Sequence, residues 1–184
     1  MEQTELLRLV RKGDPLAWEA FVRQRQGRVF GLAYHYVAHA EDARDLTQEV
    51  FIRIYQSRGR VPEAAGLVGW LVRVTRNACL DFRRRRQARP PAWDIPVEEL
   101  CTLTSAEPGP EEAHLETKRR EQLHLALRGL SELNREMIVL KEIQGLAIEE
   151  IARLLEVPVG TVKSRSSRAR LELAERLAAL EGGG

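Results

Sequence analysis

The chain has 184 residues, which allows one large domain or two small ones. Hydrophobic residues make up 43% and charged residues 30%, an ordinary balance for a soluble helical protein, whereas only 5% aromatic residues argues against a large β-sandwich core. The formal net charge of +2 conceals strong local segregation of acidic and basic residues along the sequence.

The cysteines, histidines and apolar runs limit the class of protein further. The two cysteines, Cys79 and Cys101, are too few for a four-cysteine zinc site, and they form no CxxC pair. We therefore expect reduced thiols. His35 and His39 have no third ligand nearby, and we interpret them as polar-face residues and expect no metal or cofactor. The first residues have no apolar run, and no segment approaches the length of a membrane span, so we expect a cytoplasmic protein.

Two helices are predicted at the start of the chain, over about residues 2–12 and residues 16–37. A glycine and an Asp-Pro pair separate them, since aspartate caps helices and proline suits the first helical position. Gly27 and Gly31 interrupt the second helix and are expected to break or loosen it. The core candidates of this helix are Trp18, Phe21, Val22, Val29, Phe30, Ala33 and Val37.

A third helix is predicted over residues 40–56, and its apolar stripe consists of Leu46, Val50 and Ile54 with Phe51 beside it. Its polar side carries a carboxylate row at successive i, i+4 positions, formed by Glu41, Asp45 and Glu49. Like charges at this spacing destabilise an isolated helix by a few tenths of a kcal/mol each, and a basic partner would offset the repulsion. We therefore interpret the row as a docking surface, with a solvated acidic face or a catalytic carboxylate pair as alternatives.

A loop over residues 57–66 precedes a fourth helix, predicted from about residue 65 to 87. Its apolar stripe is Leu67, Leu71, Val74, Ala78 and Phe82. One flank of the stripe carries Trp70, Arg73, Asn77 and Arg84, and an arginine run follows at residues 83–86. An indole can stack on an unpaired base, an amide can bond a base edge, and arginines can contact phosphates. A core tryptophan and a solvated arginine tail are the alternatives.

Residues 88–110 are rich in proline and lack a helical period, which predicts a linker between two helical units. Seven acids and no lysine or arginine lie between Trp93 and Thr117. Helix resumes over about residues 111–130, where the core candidates are Leu115, Leu123, Leu127 and Leu130.

Residues 131–173 predict one helix followed by two short helices joined by a tight turn. The buried stripes of the last two helices contain Ile148, Ile151, Leu155, Val162, Ser166, Ala169 and Leu173. Four basic residues and no acid lie between Val157 and Arg170, and the outward face carries small side chains and donors. This arrangement favours a helix-turn-helix that reads the major groove, with a solvated basic helix as the alternative.

The chain shows no Gly-rich phosphate loop, no G-x-S-x-G and no His/Cys nucleophile set, so we do not expect an enzyme. It contains three stretches in this order: DARDLTQEVFIRIYQ, GWLVRVTRNACLDFRRRR and GLAIEEIARLLEVPVGTVKSRSSRAR. Together they closely resemble the extracytoplasmic-function class of bacterial RNA polymerase sigma factors. The resemblance implies an all-α fold of two small helical domains joined by a flexible linker, over residues 1–89, 90–110 and 111–184, the last domain a helix-turn-helix.

The resemblance also implies partners and sites. The N-terminal domain would bind the clamp helices of the largest subunit of core polymerase through Asp45, Gln48, Glu49, Phe51 and Arg53. It would capture the melted −10 promoter element through Trp70, Arg73, Arg76 and Asn77. The C-terminal domain would dock on the flap of the second-largest subunit and read duplex −35 DNA through Gly160, Thr161, Lys163, Ser164, Arg165, Ser167 and Arg168. The acidic linker would run towards the active centre.

An anti-sigma factor is a further partner that the resemblance implies, whereas a small-molecule substrate is not expected.

The sequence departs from the family pattern at Ser166, which lies in a buried stripe and is expected to bond the carbonyl of residue 162. It also departs at Ala147, where a missing cap costs roughly 1 kcal/mol, and in the loop over residues 57–66. A polymerase-independent helix-turn-helix regulator and a protein-interaction adaptor are the alternative functions.

Overall fold

The computed structural model describes residues 2–86, 119 and 122–181. All secondary structure in these residues is helical, and the chain divides into two compact units, Met1–Ile95 (unit 1) and Pro96–Gly184 (unit 2). The predicted all-α fold with two helical domains is confirmed. The predicted linker, Cys101 and Leu115 lie outside the described residues.

Unit 1 consists of four α-helices: α1 (Gln3–Lys12), α2 (Pro15–Val37), α3 (Ala40–Gln56) and α4 (Ala64–Arg85). A short 3-10 turn, Arg58–Arg60, connects α3 to α4. The long helix α2 packs against both α3 and α4, while α1 packs against α2 and the 3-10 turn. Unit 1 is therefore built around α2, which leaves one side of α3 and one side of α4 open to solvent.

The start of α2 is capped as predicted, since the Asp14 carboxylate accepts a hydrogen bond from the Ala17 N–H at 2.8 Å. The helix predicted over residues 16–37 is confirmed, and Gly27 and Gly31 do not break it, because α2 continues through both glycines without interruption. A helical glycine costs about 1 kcal/mol relative to alanine, and the packing of α2 against two neighbouring helices outweighs that cost. Neighbouring Val29 and Leu32 are both buried.

The core of unit 1 matches the predicted stripe of α3 and departs from the predicted stripe of α4. All four apolar candidates of α3 are buried, namely Leu46, Val50, Phe51 and Ile54. In α4, Thr75 is buried in place of the predicted Val74, and its hydroxyl donates to the Leu71 carbonyl at 2.8 Å. This bond satisfies the hydroxyl within its own helix, so a polar side chain can occupy the core. Burial also raises the pKa of the Cys79 thiol to about 12.

Gly13 ends α1 in the left-handed conformation, with φ 82°. A Cβ atom at this position would lie 2.9 Å from Nε of Arg58, whose guanidinium also lies 4.8 Å from the centre of the Tyr55 ring. We expect Gly13→Ala to lower the free energy of unfolding by about 1–2 kcal/mol, because alanine adds backbone strain and displaces Arg58. Chemical denaturation of the full chain measures this loss.

Gly59→Ala is the matched control for that substitution. A Cβ atom at Gly59 meets no atom within 4 Å, and its backbone does not require a positive φ. We expect its effect to stay within about 0.5 kcal/mol. Equal losses for the two variants would show that neither the left-handed backbone nor the Arg58 contact matters.

The described residues of unit 2 form a helix over residues 122–129 (α5), α6 (Glu132–Ile138), α7 (Ile148–Leu155) and α8 (Val159–Glu181). A π-helical turn, Val139–Ile143, extends α6. α8 packs against α6 and α7, and the last two helices form the predicted helix-turn-helix. The last helix is not short as predicted but runs for 23 residues.

Contacts with α6 account for the length of α8. Beyond the helix-turn-helix, the Asn134 side chain donates to Glu172 at 2.6 Å and ties the middle of α8 to α6. Leu173, one residue further, is half-buried. The partial burial of Leu173 and the Asn134–Glu172 bond stabilise α8 beyond residue 173, where the predicted helical pattern ends.

The core of unit 2 confirms part of the predicted pattern. Val162, Ser166 and Ala169 are buried, but the Ser166 hydroxyl has no hydrogen-bond partner in the described part of the chain, so its predicted bond to residue 162 was wrong. Leu123 is exposed rather than buried, and α5 buries His124 and Ala126 instead. Of the other described candidates, Leu127 is half-buried and Leu130 is buried as predicted.

The Arg135 guanidinium of α6 closes the C-terminal end of α5. It donates to the carbonyl oxygens of Leu127 at 2.8 Å, Leu130 at 2.8 Å and Arg128 at 3.0 Å. Helix ends leave carbonyls without intrahelical partners, and one planar guanidinium here serves three of them. Arg135 therefore joins the end of α5 to α6. Within the described residues, no helix is long and apolar enough to cross a membrane.

Candidate nucleic-acid and protein interfaces

The first half of α8 presents a row of small and polar side chains outward. Gly160, Ser164 and Ser167 are exposed on one side of the helix, and Val162 and Ser166 are buried on the other. Thr161 and Arg165 are half-buried at the margins, while Lys163 and Arg168 are exposed, so no member of the predicted DNA-reading set lies in the core.

A tight turn sets the direction of α8. Glu156 ends α7 in the left-handed conformation with φ 56°, and the Pro158 carbonyl accepts hydrogen bonds from the N–H groups of Thr161 at 2.9 Å and Val162 at 3.2 Å. These bonds start α8 immediately after the turn. Val159 and Gly160 at the start of α8 are exposed, as a helix that enters a DNA groove requires.

The positive charge of α8 is mostly available to an outside partner. Arg170 lies 3.9 Å from the Glu142 carboxylate, so it serves as a link to the π-helical turn. In contrast, Lys163, Arg165 and Arg168 form no ion pair with any residue that the structure describes. Unpaired cations beside small outward side chains fit the phosphates and base edges of a major groove.

Two of the four residues of α4 that are predicted to capture the −10 element are exposed, and two are half-buried. Arg73 and Asn77 are exposed and Trp70 is half-buried, and their spacing of three and four residues places them on one side of the helix. Arg76 is half-buried and already has an interaction within the chain. The flank therefore offers an indole, an amide and a guanidinium to an unpaired base and its phosphate.

Arginines of the run after this flank form ion pairs, although their side chains are largely exposed. Arg84 lies 3.7 Å from Asp81 of its own helix, whereas Arg85 lies 3.8 Å from Glu49 of α3. Arg86 forms an ion pair with Asp42 of α3 and lies 5.2 Å from the centre of the Phe82 ring. The end of α4 is thus attached to the acidic side of α3.

The residues predicted to bind a basic partner divide between surface and core. Asp45 and Gln48 are exposed, and Glu49 and Arg53 are half-buried and paired with each other. Phe51 is only 7% exposed and lies edge-on to Phe21, with ring centres 6.4 Å apart. Phe51 therefore belongs to the core rather than to the docking surface, because its ring packs against Trp18 and Phe21 of α2.

Two apolar residues of the same surface were missed by the sequence analysis. Ile52 is 57% exposed and Tyr55 is 40% exposed, and they continue the side of α3 that carries Asp45 and Gln48 at spacings of three and four. We call these four residues the α3 ridge. The signal in the sequence was an isoleucine outside the apolar stripe of its helix.

Comparisons with known proteins agree with this layout. The family model Sigma-70 region 2 matches residues 21–89, and Sigma-70, region 4 matches residues 120–173. The chain is 38% identical over 175 residues to the ECF RNA polymerase sigma factor SigE of Mycolicibacterium smegmatis, covering 90% of this chain and 65% of that relative. It is 32% identical over 170 residues to the ECF RNA polymerase sigma-E factor of Escherichia coli, covering 90% of this chain and 88% of that relative.

The fold is also similar to that of a solved structure. The sigma factor RpoE, in complex with the anti-sigma factor NepR from Bartonella quintana, matches with a TM-score of 0.65 and 22% identity. The match covers 87% of this chain and 96% of that one. At this level of identity the likeness concerns the arrangement of the helices.

Proposed function

Because the chain belongs to the extracytoplasmic-function class of RNA polymerase sigma factors, we propose that it joins core polymerase through α3 and directs it to promoters through α4 and α8. The observation that carries this proposal is the segregation of charge on the described surfaces. The α3 ridge presents a carboxylate and apolar side chains, whereas the outward face of α8 presents cations without internal partners. The chain acts as a specificity subunit and supplies no catalytic group of its own.

The docking surface consists of the α3 ridge with Glu49 and Arg53 at its margin, and its partner is the clamp of the largest subunit. Carboxylates steer and orient a basic partner, while buried apolar groups contribute most of the affinity of a typical interface. Ile52 and Tyr55 supply such groups beside Asp45. Co-purification of the full chain with core polymerase tests the proposal, since a polymerase-independent regulator or an adaptor would not be retained.

The −10 element is captured by the exposed flank of α4. A base that leaves the stack costs a few kcal/mol of pairing and stacking, and contacts in a pocket must offset that cost. Trp70 offers a stacking surface, Asn77 can bond the base edge, and Arg73 can neutralise the adjacent phosphate. The flank lies on a helix whose other side is in the core of unit 1, which holds these groups in place.

We expect Asn77→Ala to slow open-complex formation by roughly 10-fold, because the loss of a bidentate base contact costs about 1–3 kcal/mol. The side chain is exposed, so the fold and the affinity for core polymerase should be unchanged. Permanganate footprinting of the melted region on a linear promoter measures the effect. Gln24→Ala, an exposed amide on α2, serves as the control. Normal opening by the Asn77 variant would contradict the assignment.

The −35 element is read by α8 in the major groove. We expect Arg168→Ala to weaken promoter binding by the holoenzyme about 10- to 100-fold if the guanidinium contacts a base. Binding to templates with the wild-type and a scrambled −35 sequence separates the possible contacts, because a phosphate contact weakens both equally. Arg153→Ala, an exposed arginine on α7, should leave the preference for the −35 sequence unchanged.

Each of the three segments of the chain has its own role in this proposal. Residues 1–89 bind polymerase and the −10 element, residues 111–184 read the −35 element and dock on the flap of the second-largest subunit, and residues 90–110 join them. The protein acts in the cytoplasm, where its polymerase is found. An anti-sigma factor is a further partner, supported by the similar fold of a sigma factor that was solved with one.

A further inference from the structure

Two carboxylates on the acidic side of α3 are held by arginines from the end of α4. The Asp42 side chain is only 15% exposed, and Arg86 pairs with it while lying against the Phe82 ring. Glu49 is 37% exposed and faces two cations, Arg53 of its own helix and Arg85 of α4. The basic end of the nucleic-acid helix thus lies on the proposed docking surface of unit 1.

The two ion pairs differ in how readily they can be exchanged. The Arg86 pair is sheltered at Asp42, so it is suited to fixing α4 against α3. Both arginine side chains are 64% exposed, but Glu49 is more exposed than Asp42, and a nitrogen of Arg85 is 3.8 Å from its carboxylate oxygen, so the Arg85 pair is the more open. Exposed ion pairs at such distances contribute little free energy and are screened by salt. An outside cation can therefore replace Arg85 at Glu49.

We infer that Arg85 is an internal competitor for the polymerase-docking carboxylate Glu49, displaced when a basic surface of core polymerase docks on α3. The inference rests on the proposed function, which assigns Glu49 to docking. Once displaced, the Arg85 guanidinium becomes available to a promoter phosphate near the flank that carries Asn77, because both residues lie on α4. The free chain keeps this cation neutralised.

The exchange couples the two partners of unit 1. Polymerase at Glu49 releases Arg85 for DNA, and by thermodynamic reciprocity DNA at Arg85 releases Glu49 for polymerase by the same factor. Removing the Arg85 charge should therefore tighten polymerase binding in the absence of DNA. In a variant without the Arg85 charge, promoter DNA should no longer raise the affinity for polymerase by displacing Arg85 from Glu49.

The test uses the full chain, a fluorescent label and purified core polymerase, titrated in the absence of DNA. Arg85→Gln is expected to bind core polymerase about two- to five-fold more tightly at low salt, and the gain should disappear at high salt. Arg85→Lys should behave like wild type, because it retains a cation. Arg8→Gln, which removes an arginine paired with Glu5 on its own helix, controls for the change in net charge. Thermal denaturation verifies the fold of each variant.

Glu49 variants separate the inference from the function on which it rests. In a Glu49→Gln background, Arg85→Gln should have no effect on polymerase affinity, since the competed carboxylate is gone. If Glu49→Lys weakens binding while Arg85→Gln leaves it unchanged or weaker at low salt, the competition is overturned and the docking surface stands. If Glu49→Lys leaves binding unchanged, the assignment of Glu49 to docking falls, and the competition falls with it.

Discussion

Reversal of two charges, Asp45→Lys together with Glu49→Lys, is expected to weaken binding to core polymerase by about 100-fold, equivalent to about 2.7 kcal/mol. Each substitution removes an attraction to a basic clamp and adds a repulsion, and like charges brought together at an interface cost several kcal/mol. Both side chains lie at the surface of α3, so the core beneath them is unchanged. An equilibrium titration of labelled chain with core polymerase measures the loss.

A double reversal in unit 2 controls for net charge. Glu149 of α7 and Glu175 of α8 are both exposed and lie outside the set of proposed DNA-reading residues. Glu149→Lys with Glu175→Lys adds the same charge as the α3 variant and should leave the affinity within about two-fold of wild type. Similar losses for both variants would indicate a general charge effect, and no loss for the α3 variant would reject the docking surface.

The second large effect concerns stability. Arg135→Ala is expected to lower the free energy of unfolding of unit 2 by about 3 kcal/mol, because hydrogen bonds from a charged donor contribute roughly 1.5–3 kcal/mol each and partial hydration of the carbonyls offsets some of the loss. Three carbonyls at the end of α5 lose their donor at once. Urea denaturation followed by circular dichroism should show one transition moved to lower concentration, with the transition of unit 1 unchanged.

Two further variants establish the cause. Arg128→Ala removes an exposed arginine of α5 whose side chain closes no helix end, and its effect should stay within about 0.5 kcal/mol. Arg135→Lys should recover only part of the stability, because a single ammonium group does not reproduce the fork of a guanidinium. Full recovery by lysine would show that the charge alone matters and that the three carbonyl bonds do not.

Local patterns sufficed for part of this fold. The apolar stripe of α3, the Asp14 cap and the end of α1 at Gly13 each depend on residues within a few positions of one another, so the sequence predicts them. The sequence predicts a helix over residues 16–37 but not whether its glycines break it, because packing against two other helices overrides the local cost. The docking role that the resemblance implies for Phe51 conflicts with its burial, because aromatic rings of α2 pack against its ring.

The electrostatic layout of the sites depends on tertiary contacts. The sequence predicts an acidic row on α3 and an arginine run at the end of α4 as two separate surfaces. In the structure, the ion pairs Arg85–Glu49 and Arg86–Asp42 join these surfaces. No spacing rule relates residues on different helices, so neither pair could be predicted from the chain alone. The same holds for Arg135, which lies in α6 and bonds carbonyls of the preceding segment.

The most direct test that the chain directs core polymerase to promoters is transcription in vitro with purified components. Core polymerase is incubated with the chain and a pool of linear genomic fragments from the organism that encodes it, and the 5′ ends of the RNA are sequenced. We expect defined start sites preceded by a shared pair of −35 and −10 elements, only when the chain is present, and a strong reduction with Asn77→Ala. Sequence-specific binding of the chain to duplex DNA without polymerase, together with no new start sites in its presence, would contradict the account.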